Sequence, residues 1–390
     1  MRSRRRLLLL LVAIAIIGGL FYAAVPYARA ASLVIRAAKL GGRVETFARD
    51  HAFAVAKAGR VMVPTRAGDV AAQFYTPDTT IARTVLLIPG IHSMGIDEPR
   101  LTALAQDLAG SGVRVMAMAL PDLQRYRITA QSTDVIEDAV QWLATRPEYS
   151  PDGRVGIVGI SFAGGLSISA AGRPAIRDKV AFVVSFGGHG DLRRVLRYIA
   201  TGEAPAIPGI TVHPPHDYAA SVVLYGVADR GLVPADQVQA LRDGIETFLL
   251  ASQLTLVDMN RANATFAKAR EMQTRLPEPA ATFMGYVNNR DVKQMGPRIL
   301  PFLSQLDAGN PALSPEFATP PAARLYLLHG DGDNVIPTAE SRLLGDVLAG
   351  KGARVQVLLS SLITHAEVNR AATTREAWQL VSFWGSVLKN

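Results

Sequence analysis

The chain has 390 residues, 49% of them hydrophobic, no cysteine and a formal charge of +8. That length suits roughly two or three structural units around a large core, and 33 Gly with 23 Pro excludes wholesale disorder. Without cysteine there is no disulfide scaffold, thiol nucleophile or thiolate metal site, and the compartment stays open. Residues 1–60 hold eleven Lys/Arg against two Asp/Glu, so the remainder carries −1. The basic character belongs to an N-terminal arm, and the totals give a nucleic-acid partner no support.

Arg2, Arg4, Arg5 and Arg6 precede an uncharged apolar run over residues 7–27. As a helix at ~1.5 Å per residue, such a run spans about the 30 Å hydrocarbon layer. Residues 1–30 are therefore expected to be a transmembrane anchor or a signal segment. A retained anchor is favoured, because the run exceeds the roughly 7–15 apolar residues of a secretory signal. Ala28-Arg29-Ala30 is the candidate cleavage site, and cleavage after Ala30 would release a secreted body. The tight leading Arg cluster sets the N-terminus inside and the body on the outer face. Residues 31–60 read as a basic juxtamembrane helix. Leu33, Leu40, Val44 and Phe47 fall near one face, and Arg36, Lys39 and Arg43 near another. Two readings stand: an interfacial helix, or a stalk packed on the body. Gly41-Gly42 weakens either as one continuous helix.

From residue 61 short apolar runs alternate with helical stretches. Strands are expected at 61–63, 70–75, 84–88, 113–119, 154–158 and 180–185, the first two as an antiparallel pair. Helices are expected at 99–108, 133–145 and 161–171. Strands separated by helices of this length imply βαβ units and a mostly parallel sheet. The alternation breaks at Gly187-Gly188. Asp191 caps a helix whose Leu192, Val195, Leu196 and Ile199 share a face. Asp217 is a candidate cap for a second helix, and Val238, Leu241, Ile245, Phe248 and Leu249 mark a third. Strands resume at 324–328 and 355–359, with helices at 340–348 and 367–388. The units are thus 61–186, a helical cap or lid over 187–321, and 322–390.

Chemistry concentrates at Val158-Gly159-Ile160-Ser161-Phe162-Ala163-Gly164-Gly165, between an expected strand and an expected helix. A serine there sits on a sharp turn at the carboxyl edge of the sheet, and small neighbours let backbones approach. The helix that starts there favours a developing oxyanion. The segment resembles the nucleophile elbow of the α/β-hydrolase family, with Ala163 where that motif has Gly. The resemblance covers residues 61–186 and 322–390. It implies a mostly parallel α/β sheet and a Ser-acid-His triad in that chain order. His365, between the last strand and last helix, matches the base. Asp333, in Leu328-His329-Gly330-Asp331-Gly332-Asp333-Asn334-Val335-Ile336-Pro337, matches the acid, with Asp331 as competitor. Asp229 sits in a lookalike loop without a strand before it.

The resemblance also implies an oxyanion hole at the Phe162 and Ile91 amides. His92 either lines the pocket or caps its loop, and His329 reads as structural. His213-Pro-Pro-His216 lacks the carboxylate cluster a metal site would want. No metal and no cofactor is implied. The expected activity is cleavage of a small-molecule or lipid-like carboxylic ester through an acyl-enzyme on Ser161. The same residues would serve an acyltransferase or a peptidase, and a catalytically inert membrane-tethered binding module is the rival from another class.

Overall fold

The computed structural model describes residues 22–81, 83–363 and 374–390. Among these, eight strands form one sheet: β1 (Val55–Thr65), β2 (Gly68–Pro77), β3 (Thr84–Ile88), β4 (Arg114–Met118), β5 (Val155–Ile160), β6 (Val180–Phe186), β7 (Arg324–Gly330) and β8 (Val355–Ser360). Their order is β1-β2-β4-β3-β5-β6-β7-β8. β2 is antiparallel to both β1 and β4, and every other pairing is parallel. The central strands read as unbroken apolar runs because helices cover the sheet, and all five residues of β3 are buried. β1 is longer than the expected 61–63. It is an edge strand whose residues 56–60 are exposed and either small or charged, so no hydrophobic run announces them.

The helices are α1 (22–37), α2 (Gly42–Asp50), α3 (Pro99–Ala109), α4 (Pro121–Gln124), α5 (Ala130–Ala144), α6 (Phe162–Ala171), α7 (Leu192–Thr201), α8 (Asp217–Val227), α9 (Val238–Leu254), α10 (Met259–Gln273), α11 (Ala280–Asn288), α12 (Val292–Ile299), α13 (Ala339–Gly350) and α14 (Thr374–Leu388). All of α7–α12 lies between β6 and β7. Asp191 caps α7 by accepting from the Arg193 amide, and Gly202, at φ 75°, ends it. Charge ties this helical stretch to the sheet unit. Arg194 bonds Glu340 and Glu316, each at 2.5 Å, while Glu340 Oε2 accepts the Gly190 and Asp191 amides at 2.9 and 3.0 Å. The cap of α8 differs from the expectation. His216 is the capping residue, through Nδ1 and the Tyr218 amide, and Asp217 is the first helical residue.

The stretch 31–60 is not one helix. It divides into the end of α1, then α2, then the first residues of β1. Gly41 and Gly42, at φ 76° and 64°, make the break. Nor do its apolar and basic residues sort onto two faces. Ala30, Leu33 and Arg36 are all buried in the body, whereas Leu40, Val44 and Phe47 are exposed. Arg36 is drawn inside by Asp107 at 2.9 Å, the Asp107 carbonyl at 2.8 Å and Ser111 Oγ at 3.0 Å. α1 is therefore a packed stalk. No helix among the described residues is long and apolar enough to cross a membrane. Residues 1–21, which carry most of the apolar run, lie outside the described residues.

Candidate active site

In a parallel sheet the strand carboxyl ends share one edge, and the loops leaving them can meet. The loops after β3, β5 and β7 meet here around a cavity of about 770 Å³ whose lining includes Ile91, Ser161, Phe162 and Asp333.

Ser161 links β5 to α6 at φ 54° and ψ −132°. A non-glycine residue there is strained, and its neighbours hold it. The Ser161 amide donates to the Phe186 carbonyl at the end of β6 (2.7 Å), and the Ser161 carbonyl accepts from Gly164 (2.8 Å). Gly159 is required by close approach. A Cβ there would lie 2.5 Å from the Ala163 carbonyl oxygen and 2.6 Å from Ser167 Oγ. Ala163 is fully buried in the first turn of α6, so the departure from Gly at that place is accommodated by packing. All ten residues of α6 are buried.

Phe162 N–H begins α6, where backbone donors have no intrahelical partner. Neither it nor Ile91 N–H donates to an acceptor among the described residues. Both residues line the cavity beside Ser161. Two amides and a helix N-terminus thus border the serine, an arrangement suited to oxygen bearing negative charge.

Asp333 follows β7 and is 3% exposed. Its Oδ1 accepts the Val335 and Ile336 amides at 2.9 and 3.0 Å, which fixes the carboxylate. His329 Nε2 lies 3.2 Å from Oδ2 and 3.0 Å from the Ile336 carbonyl. Because a carbonyl only accepts, that nitrogen carries a proton, and His329 Nδ1 is left to Ser341 Oγ at 2.7 Å. His329 is thus a buried support of the Asp333 loop. His365 lies outside the described residues. The chain after β8 reaches the cavity at Ile363, two residues earlier in sequence.

The other candidates fall elsewhere. Asp331 is exposed and does not line the cavity. Asp229 is half-exposed and pairs with Arg230 and Arg242. His213 offers its carbonyl to Tyr198 Oη, and His216 caps α8. No cluster of three or more His, Asp or Glu residues that could hold a metal ion occurs among the described residues.

His92 does both of the things the sequence leaves open. Its Nδ1 accepts the Met94 amide at 3.2 Å, and it lines the cavity. Burial lowers its pKa to about 4, so it stays neutral, with its proton on Nε2. Sequence reasoning missed Tyr218 and Gln253, which reach this loop from α8 and α9. No local motif marks residues that touch a loop more than a hundred positions away.

No protein-family model matches the chain, and no curated protein matches it. Solved structures do resemble it. A hyperthermophilic esterase from the archaeon Pyrobaculum calidifontis is 15% identical over 93% of this chain and 90% of that one, with a TM-score of 0.45. A carboxyl esterase from the mycorrhizal fungus Tuber melanosporum is 15% identical over 86% and 85%, with a TM-score of 0.46. A thermostable esterase from Pseudomonas putida is 13% identical over 87% and 83%, with a TM-score of 0.46.

Proposed function

We propose that this chain is a serine hydrolase of the α/β-hydrolase type that cleaves carboxylic esters through an acyl-enzyme on Ser161. The observation that carries the reading is the meeting, in one cavity, of a strained serine, two uncommitted amides and a fixed buried carboxylate. His365 takes the Ser161 proton as Oγ attacks the ester carbonyl carbon. The tetrahedral oxyanion rests on the Ile91 and Phe162 amides. The bond to the leaving oxygen breaks as His365 returns the proton to it. Water repeats the sequence and releases the carboxylic acid. Asp333 orients the imidazole and stabilises the imidazolium.

The cavity wall is largely apolar, including Leu104, Ile199, Val222, Val223 and Leu256, which suits a lipid-like or other small apolar ester. The apolar run and Arg cluster of residues 1–27 support a retained N-terminal membrane anchor with the body on the outer face. Labelling of the full chain by a fluorophosphonate probe, lost in Ser161→Ala, is the deciding experiment. An unlabelled wild-type protein overturns the reading. A panel of p-nitrophenyl esters of increasing acyl length then defines the substrate.

A further inference from the structure

The loop that carries Ile91 is held by the helices inserted between β6 and β7 as well as by the sheet. Tyr218, on α8, donates its hydroxyl to the Ile91 carbonyl at 3.2 Å. Gln253, near the end of α9, donates from Nε2 to Tyr218 Oη at 2.7 Å. Gln253 Oε1 in turn accepts from Ser93 Oγ at 2.6 Å. The circuit leaves the loop at residue 91, crosses two helices and returns at residue 93. Its direction is fixed by the donors: the amide nitrogen of Gln253 cannot accept, so Tyr218 Oη has only its own proton to give to Ile91. Burial raises the Tyr218 pKa, so the hydroxyl keeps that proton at ordinary pH.

Between Pro89 and Ser93 the loop contains Gly90, whose backbone packs so close to Ser161 that a Cβ would lie 2.9 Å from Ser161 Cβ, so no side chain at that residue can anchor the loop. An oxyanion donor is effective only when aimed before the charge appears. Tying down the Ile91 carbonyl fixes the peptide plane after Ile91, and Ser93 fixes the loop two residues on. Tyr218 also lines the cavity along with Ala219, Val222 and Val223. One helix therefore both walls the cavity and holds the loop beside Ser161.

We propose that Tyr218 is a positioning residue which, with Gln253 and Ser93, fixes the Ile91 amide for the oxyanion, so that the hole is complete only when α8 and α9 are seated on the loop. This rests on the reading of Ser161 as nucleophile and Ile91 as donor. It adds residues that act on the transition state without touching the reacting atoms.

The test uses the full chain and a short-chain p-nitrophenyl ester. Tyr218→Phe keeps the ring and removes the hydroxyl. The expected result is a loss of about tenfold in kcat with KM within about twofold. Affinity for an alkyl boronic acid, which forms a tetrahedral adduct on serine, falls by the same factor, while inhibition by the product carboxylate is unchanged. Ser93→Ala, on the other side of the circuit, gives the same split. The double variant is no worse than the weaker single one, because the groups act as one unit. An unchanged kcat in Tyr218→Phe, or a loss confined to KM as expected of a cavity wall, overturns the proposal. If one variant fails to fold, the other decides. Fluorophosphonate labelling of the wild type separates the two levels. No labelling removes the hydrolase reading itself. Labelling without the kcat effect removes only the role of Tyr218.

Discussion

Gly90 leans directly on Ser161. A Cβ at residue 90 would lie 2.9 Å from Ser161 Cβ, 3.2 Å from the Ile160 carbonyl oxygen and 3.6 Å from Ser161 Oγ. Two of those three neighbours are side-chain atoms of Ser161, and the third is backbone. Gly90→Ala therefore displaces either the serine or the loop that bears Ile91 N–H. Misplacing one oxyanion donor is expected to cost about ten- to hundredfold in kcat, against the 10²–10³ typical of losing one outright. Melting temperature should stay within a few degrees, since the loop lies at the surface of the cavity. Wild-type turnover in Gly90→Ala would remove this loop from the catalytic account.

Three aspartates compete for the acid role, and their surroundings separate them. Asp333→Asn leaves an oxygen for the Val335 and Ile336 amides but turns an NH₂ group toward His329 Nε2–H, donor against donor. It also removes the charge that would stabilise an imidazolium. A loss on the order of 10⁴ in kcat is expected, the size seen when a triad Asp becomes Asn. Asp331→Asn and Asp229→Asn should stay within about threefold, as neither side chain lines the cavity. Steady-state kinetics on all three variants checks the ranking; equal losses at 331 and 333 would reassign the acid.

His189 makes stability depend on pH. It is fully buried against α6, its Nε2 meets the Leu313 carbonyl at 2.6 Å, and its Nδ1 has no hydrogen-bond partner among the described residues. Burial lowers its pKa from 6.5 to about 4. The unfolded chain therefore binds more protons than the folded one between those values. The contribution is fully present above pH 6.5 and is lost as pH falls toward 4, by about 3 kcal/mol in the limit. Half-buried His92, whose pKa is also lowered by burial, acts in the same direction. Urea midpoints at pH 7, 5.5 and 4.5 should fall less steeply in His189→Gln than in the wild type. Parallel slopes would mean that His189 does not carry the linkage.

The sheet was legible in the sequence because its central strands are two-sided and apolar. β3 begins and ends where the run 84–88 does, and β5 delivers Ser161 where the Gly/Ser motif lies. The first helix inserted between β6 and β7 was legible through Asp191 and Gly202, which are local signals. α10 and α11 were not, since their residues make weak periodic patterns, and α12 is short and carries Pro297 inside it. Distance along the chain hid the hold of Tyr218 and Gln253 on the Ile91 loop. Arg36 misled for a different reason. In a basic arm an arginine reads as one more solvated charge, and nothing local reveals that its partner is Asp107, 71 residues on.

That pair makes a final prediction about the stalk. Arg36 and Asp107 are both nearly buried, and burial lowers the Arg36 pKa while raising that of Asp107. Each charge is tolerated only because the other is present. Arg36→Ala leaves the Asp107 carboxylate without its cation and should cost about 3–5 kcal/mol, as expected for breaking one side of a buried pair. Arg36→Met with Asp107→Leu removes both charges, keeps the volume, and should be less destabilised than Arg36→Ala alone. Denaturant unfolding of the single and double variants gives the coupling directly. If Arg36→Ala unfolds like the wild type, α1 is not a packed part of the body, and the basic arm returns to being a solvated stalk.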